Sequence, residues 1–359
     1  MTTVATMIPH SRPAIDEEDL RATADVLRAG QIAQGPWVER FERCMASFVG
    51  VQGGVAVSSG TAALELAMRA LGIGAGDEVI MPSYVCAAPW LATQRVGAQA
   101  RLVDIDLNTF NIDPLAARQA VTKKTRAIIV PHLFGLPADL TALERLGIPL
   151  IEDCAQTLGA TEQGRPVGTV GRLTVCSFYA TKLLCAGEGG MVLSNEGTLL
   201  ERVRSLREYD GAATLNPSSF NLKLTDLHAA LGCSQLGRFS AFHARRQFLA
   251  AAYREALSSK AAICPIVPPG RAHGYYRFVM RLPHLQSNSD GLRVLVGRLE
   301  QQGIHCRKPV FRPLHRYLGQ SGFPNSDEAD RTALSIPLYP DLTDDEVRHI
   351  QQSLAEVLS

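Results

Sequence analysis

Between residues 53 and 195 the chain alternates short β-rich apolar runs with stretches of helical composition, and this constrains its fold more than any other feature. The runs cover residues 54–57, 78–81, 100–105, 127–130, 149–151, 173–178 and 191–193. Runs of this kind, separated by helices, read as a mostly parallel sheet covered on both faces, so the expected fold class is α/β. Ligands of such sheets bind at the carboxyl ends of the strands. Residues 58–61, Asp153 and residues 177–182 all fall at that edge.

Downstream, residues 226–259 carry Leu, Ala and Phe three or four apart and read as one long helix leaving the large unit. Pro265, Pro268 and Pro269 break that pattern. From Tyr275 onward, short strands such as residues 277–282 and helices such as residues 290–302 indicate a smaller α+β unit. The proline-punctuated stretch 309–340 is expected to fold back over the site. The expected division is a large unit at residues 1–245, N-terminal arm included, and a small C-terminal unit at residues 246–359.

A net charge of +1 gives no electrostatic case for a nucleic-acid or membrane-surface partner. Residues 1–12 lack the apolar run of a signal peptide, and no stretch reaches the ~20 apolar residues of a membrane span. The eight cysteines are scattered without a CxxC pair, which suits a cytoplasmic, disulfide-free protein. His132, His228, His243, His305 and His315 show no ligand spacing, so no metal is expected.

Lys182 follows an apolar run and enters a small-residue turn that continues into Gly187, Gly189 and Gly190. There a chain can hold an amine against a flat, charged cofactor, and such an amine can form an imine with a carbonyl. Gly60, Thr61 and Ala62 open a helix whose free N–H groups and dipole suit a phosphate dianion, with Ser177 as a second donor. Asp153, at a strand end, can pair with a protonated ring nitrogen, and Gln156 can reach the ring's phenolic edge. Singly, each has a commoner explanation: a helix cap, a turn residue, a loop amide, a surface lysine. Their convergence on one sheet edge is what argues for a site.

These segments also carry a resemblance. Residues 58–66, 76–80, 103–106, 111–114, 131–135, 151–156, 187–192 and 334–340 follow one family's order over nearly the whole chain. The chain resembles the DegT/DnrJ/EryC1/StrS sugar aminotransferases, a branch of the fold-type I pyridoxal phosphate enzymes. The resemblance implies pyridoxal 5′-phosphate as cofactor, Lys182 as the Schiff-base lysine and Asp153 on the pyridinium nitrogen. It places Gln156 close to the ring, and Gly60, Thr61 and Ser177 on the phosphate. It also matches Asn221 to an asparagine that reaches the phosphate in the neighbouring subunit, which implies a homodimer with shared sites.

Relatives with histidine at the lysine position act as dehydratases, so Lys182 implies amino transfer. The implied donor is glutamate or glutamine, and the implied acceptor a keto sugar, expected to be nucleotide-linked. Alternatives are a non-nucleotide cyclic ketone such as an inosose, or an aromatic-amine-forming dehydration. The chain departs from the family at Cys86, which stands where relatives carry a ring-stacking aromatic. Either Tyr84 or another ring stacks on the cofactor, or smaller groups pack that face. Lys223, His228 and Cys185 are further departures around the pocket. For the acceptor, Arg307, Lys308, Arg312, His315, Arg316 and Tyr317 could meet a nucleotide diphosphate or form a solvated loop.

Overall fold

The seven apolar runs become seven strands of one sheet in a computed structural model, which describes residues 7–210, 216–285 and 290–358. In chain order the strands are β1 (Gly53–Val57), β2 (Glu78–Pro82), β3 (Gln99–Val103), β4 (Thr125–Pro131) and β5 (Leu150–Asp153). A two-residue hairpin, β6 (Thr161–Glu162) and β7 (Arg165–Pro166), then precedes β8 (Leu173–Ser177) and β9 (Gly190–Ser194). The seven-stranded order is β1-β9-β8-β5-β4-β2-β3. The pairings β2–β3, β2–β4, β4–β5 and β5–β8 are parallel; β9 pairs antiparallel with both β8 and β1. The sheet is therefore parallel apart from β9.

Both faces are apolar because both are covered. Val55 and Val57 of β1 point into one core with the helix Gly60–Ala70, while Ala56 points into another with the helix Pro36–Val49. At the far side, Ile128 and Val130 of β4 pack with Leu140 and Leu143. Strands sandwiched in this way lose the polar alternation of half-exposed ones, and so read as continuous runs.

Beyond the sheet, helical residues 226–256 form two helices, Asp226–Gly237 and Phe239–Ala256, rather than the one expected. The break sits at Arg238, whose guanidinium is drawn to Asp16, at 2.6 Å, and to Asp19 near the chain's start. Asp226 also caps a neighbour: its carboxylate accepts from the N–H groups of Gly35 and Val38 at the start of the helix Pro36–Val49.

A second core gathers Leu249, Tyr253, Phe278, Leu299, Ile336 and Leu354. Its two-stranded sheet pairs β11 (Phe278–Arg281) antiparallel with β12 (Ala333–Ile336), after a short β10 (Arg271–Ala272) that pairs with β6. The expected division at 245/246 falls inside the helix Phe239–Ala256. Phe239 at one end packs in the core around β8 and β9, whereas Leu249 and Tyr253 pack in the second core. Ile8 also joins the second core and pairs with Ile304, so the N-terminal segment leans on the C-terminal unit.

Candidate active site

The site begins with two glycines. Ser59 caps the helix Gly60–Ala70, its Oγ accepting from Ala62 N at 3.1 Å. A Cβ on Gly60 would fall 2.8 Å from Ser177 Cβ, and one on Gly190 would fall 2.3 Å from Ser59 O. Only glycine at both positions lets this helix start nestle against the ends of β8 and β9. The amides of Gly60 and Thr61 thus lie beside Ser177, forming an N-terminal anion cradle. The Ala62 amide, counted with them in the sequence, is instead occupied by the Ser59 cap.

Lys182 lies on the connection between β8 and β9. Phe178 N donates to Gly189 O at 2.9 Å, Ala180 N to Gly187 O at 3.0 Å, and Lys182 N to Tyr179 O at 2.8 Å. With Leu183, Leu184 and Ala186 buried beneath it, the turn is rigidly seated. Lys182 lines a cavity of about 260 Å³, whose walls also include Thr61, Cys86, Asp153, Gln156 and Ser177. That volume lies just below the usual range of about 300–1,000 Å³ for small-molecule pockets, and suits one flat ring better than a whole nucleotide sugar.

Electrostatics divide the two carboxylates at the end of β5. Glu152 accepts from Gly168, Val170 and Gly171 N and from His132 Nε2. Burial pushes its carboxyl up, but His132 and the backbone donors outweigh burial and lower it. Ala138 N donates to His132 Nδ1, which places the ring proton on Nε2, toward Glu152. Asp153, one residue on, has among the described residues only the Ala155 amide at 3.1 Å. Burial pushes its carboxyl up, against opposing pulls from that amide and from Lys182. Glu152 is satisfied by its frame; Asp153 is short of a cationic partner. Gln156 Oε1 accepts from Phe134 N at 2.9 Å, leaving its NH₂ as the donor for a ligand.

His132, Glu152 and Cys154 bring potential metal-ligating atoms within 4.8 Å of one another. The carboxylate is already engaged as above, and burial pushes the Cys154 thiol well up, so its protonated form is a poor ligand.

Several residues anticipated for the pocket lie elsewhere. Tyr84 is fully buried, stacked on Phe110 with its hydroxyl toward Ala329 O, so it offers no face to the cavity. Cys86 does line the cavity, where its side chain is exposed. His315 is only 2% exposed: Nδ1 lies 2.6 Å from Ser83 Oγ, Nε2 lies 3.1 Å from Asp327, and the ring stacks on Phe323. It is a staple between segments, not an exposed substrate contact, because both ring nitrogens are used. Arg312 lies over the Tyr317 ring and donates to Arg316 O. Tyr317 lines a separate apolar recess with Ala87, Trp90 and Leu91. Asn221 is exposed and does not line this chain's cavity.

The stretch 309–340 does fold onto the sheet edge, through Leu314 N to Ser83 O and Ser326 Oγ to Asp104, but among the described residues it stops beside the cavity. A larger recess of about 700 Å³ lies at the opposite end of β1. There Glu42 is already paired with Arg204 and Arg207, which leaves little chemistry to spare.

Sequence reasoning missed Tyr276. Its ring is buried, its hydroxyl lies 3.3 Å from Thr181 Oγ1, and Lys182 Nζ stands 5.2 Å from its centroid. Nothing in the local sequence marks it, because Tyr276 meets Thr181 from 95 residues further along the chain.

The cavity residues fit pyridoxal phosphate by their chemistry. There are helix amides for a phosphate, a desolvated carboxylate suited to a protonated ring nitrogen, a donor amide and a primary amine. The pattern of the DegT/DnrJ/EryC1/StrS aminotransferase family matches residues 13–355. The chain is 32% identical to the Bacillus subtilis "Spore coat polysaccharide biosynthesis protein SpsC", covering 98% of this chain and 97% of that protein. Among solved structures it is similar to the aminotransferase TlmJ from Streptoalloteichus hindustanus, at 30% identity and a TM-score of 0.92, covering 98% and 99% of the two chains. It is also similar to the "Putative sugar aminotransferase Spr1654 from Streptococcus pneumoniae, PMP-form", at 26% identity and a TM-score of 0.93, covering 98% and 97%.

Proposed function

The chain belongs to the DegT/DnrJ/EryC1/StrS aminotransferase family and is a pyridoxal phosphate-dependent aminotransferase, and from this we propose that it moves an amino group from glutamate or glutamine to a nucleotide-linked keto sugar. The observation that supports the site assignment is the meeting of Lys182, Asp153 and the Gly60–Thr61 amides around one ring-sized cavity. The bound cofactor would supply the electron sink. Lys182 would hold it covalently and afterwards carry the proton between donor or acceptor carbon and cofactor. Asp153 would keep the ring nitrogen protonated, while Gly60, Thr61 and Ser177 anchor the phosphate and Gln156 donates to the ring oxygen. Cys86 would pack the ring face where Tyr84, buried elsewhere, cannot.

A ring-sized cavity leaves the acceptor at the mouth. The relative named for spore coat polysaccharide biosynthesis and the sugar aminotransferase from S. pneumoniae both support a sugar as acceptor. The exposed Asn221 supports a homodimer in which each chain completes its neighbour's phosphate site.

The test uses cofactor-loaded protein. Glutamate or glutamine should bleach the visible cofactor band, and a nucleotide-linked keto sugar should restore it. Lys182→Ala should lose both responses, with turnover falling at least roughly 10²–10⁴-fold. Bleaching that persists in Lys182→Ala would remove the lysine from its role. Equal use of a free cyclic ketone and a nucleotide-linked sugar would remove the nucleotide from the reading.

A further inference from the structure

We propose that Tyr276 is a positioning residue for Lys182, its ring being the seat that holds the lysine amine whenever that amine is not bound to the cofactor. The proposal rests on Lys182 being the cofactor lysine. Three observations support it.

The first is contact. Lys182 Nζ lies 5.2 Å from the centroid of the Tyr276 ring, within the range of a cation–π interaction, and the ring is 5% exposed. Arg277 lies over the same ring at 4.7 Å and donates from Nη2 to the phenol oxygen at 3.1 Å. That oxygen also lies 3.3 Å from the hydroxyl of Thr181, the residue adjoining the lysine, so one side chain grips both the lysine's neighbour and its amine.

The second is how firmly the ring is placed. Arg246, fully buried, donates from Nη1 to the carbonyls of Tyr275, Tyr276 and Leu338. Gly274 N donates to Gly135 O at 2.6 Å, and a Cβ on Gly135 would fall 2.5 Å from Tyr275 N. Tyr275 has φ of 46°, a left-handed conformation that a bulky residue keeps only where its surroundings over-determine it. The loop after β4 and the segment before β11 are locked together, and the lock delivers Tyr276 to the lysine.

The third is the chemistry of an aromatic seat. A carboxylate there would pair with the ammonium and retain its charge. A π-face attracts the ammonium without accepting its proton, so the amine stays close, aimed, and able to exchange that proton. The charged groups acting on the phenol are Lys182 from the β8–β9 turn and Arg277 from its own segment. Burial pushes the phenol up, and these two cations, together with the hydrogen bonds from Thr181 and Arg277, outweigh it and bring it down to about 8.

The experiment compares cofactor-loaded wild type with Tyr276→Phe, which keeps the ring, and Tyr276→Leu, which removes it. Tyr276→Leu should slow glutamate-driven bleaching by roughly 3- to 30-fold. Its half-saturating glutamate concentration should stay unchanged, while the pH midpoint of the cofactor band shifts. Tyr276→Phe should stay within about threefold of wild type and keep the wild-type midpoint. Should Tyr276→Leu fail to fold, Tyr276→Met fills similar volume without a π-face and should behave as predicted for Leu. A ringless variant with wild-type rate and midpoint overturns the proposal. So does a Tyr276→Phe variant as slow as the ringless one, since the hydroxyl ties would then carry the effect. If wild type and Lys182→Ala show the same cofactor spectrum, the lysine assignment fails first and the proposal falls with it.

Discussion

The carboxyl edge of the sheet and the segment from Arg307 to Arg331 look alike by charge, yet differ in what their charges are doing. At the sheet edge, among the described residues, Asp153 has one backbone donor and no salt bridge, and Lys182 has an aromatic ring rather than a carboxylate. In the other segment Lys308, His315 and Arg316 are consumed internally. Arg316 pairs with Asp327 at 2.6 Å and Asp330 at 3.4 Å, Lys308 pairs with Asp330 at 2.5 Å, and His315 is shared between Ser83 and Asp327. A polar group kept short of partners at a buried site costs stability, and such a cost is tolerated where function needs it. A polar group whose partners are supplied by its own surroundings is already explained by folding.

Asp153→Asn separates the two behaviours with the largest effect. With cofactor, removing one member of a buried charge pair typically costs ~2–5 kcal/mol, so turnover should fall by about two orders of magnitude or more. Without cofactor the sign should reverse. The Asp153 carboxyl is raised above its ordinary 3.8, chiefly by burial. A carboxyl with a raised folded value favours folding only below its unfolded value, and that contribution is lost as pH rises through the folded one. At neutral pH Asp153 therefore costs stability, and Asn should stabilise the cofactor-free protein by roughly 0.5–2 kcal/mol, a gain that fades on acidification. Urea unfolding at two pH values measures this. An Asn variant less stable than wild type at neutral pH would place Asp153 among the satisfied residues.

His315→Ala tests the opposite side. Leaving Ser83 and Asp327 without their buried partner should cost ~1–3 kcal/mol in urea unfolding, with the glutamate half-reaction intact. A raised KM for the keto acceptor at unchanged stability would return His315 to the substrate.

The parts that could be read from sequence are those fixed by near neighbours in the chain. The seven strands declared themselves because burial on both faces removes polar alternation. Gly60, Asp153 and Lys182 could be found because each lies at, or within a short turn of, the end of an apolar strand, so that end fixes where they stand. What escaped depends on partners far off. The helix break at Arg238 is set by Asp19, 219 residues away. The occupation of His315 is set by Ser83, 232 residues away. Tyr276 reaches Lys182 only because Gly135 and Gly274, far apart in the chain, meet. Counting cations in residues 307–317 left a phosphate contact and a solvated loop both open, because the carboxylates that pair with Lys308 and Arg316, Asp327 and Asp330, come later in the chain.

Arg316→Ala carries the smallest expected effect and decides most cleanly between the two readings of that segment. Arg316 is about 38% exposed at its side chain, so its pairs are screened, and their loss should cost only about 0.2–1 kcal/mol. Asp330 would keep Lys308, so no buried carboxylate is stranded. Acceptor KM should therefore change by less than about twofold, because the guanidinium is already committed to carboxylates and would have to break those pairs to hold a phosphate. The measurement is acceptor-dependent recovery of the cofactor band in glutamate-treated enzyme, at low and high salt. A tenfold rise in KM, confined to nucleotide-linked acceptors and weakened by salt, would mean that the diphosphate displaces Asp327 and Asp330 on binding. The contrast between the two regions would then be one of timing: the sheet edge waits unpaired for its ligand, and this segment is held paired until its ligand arrives.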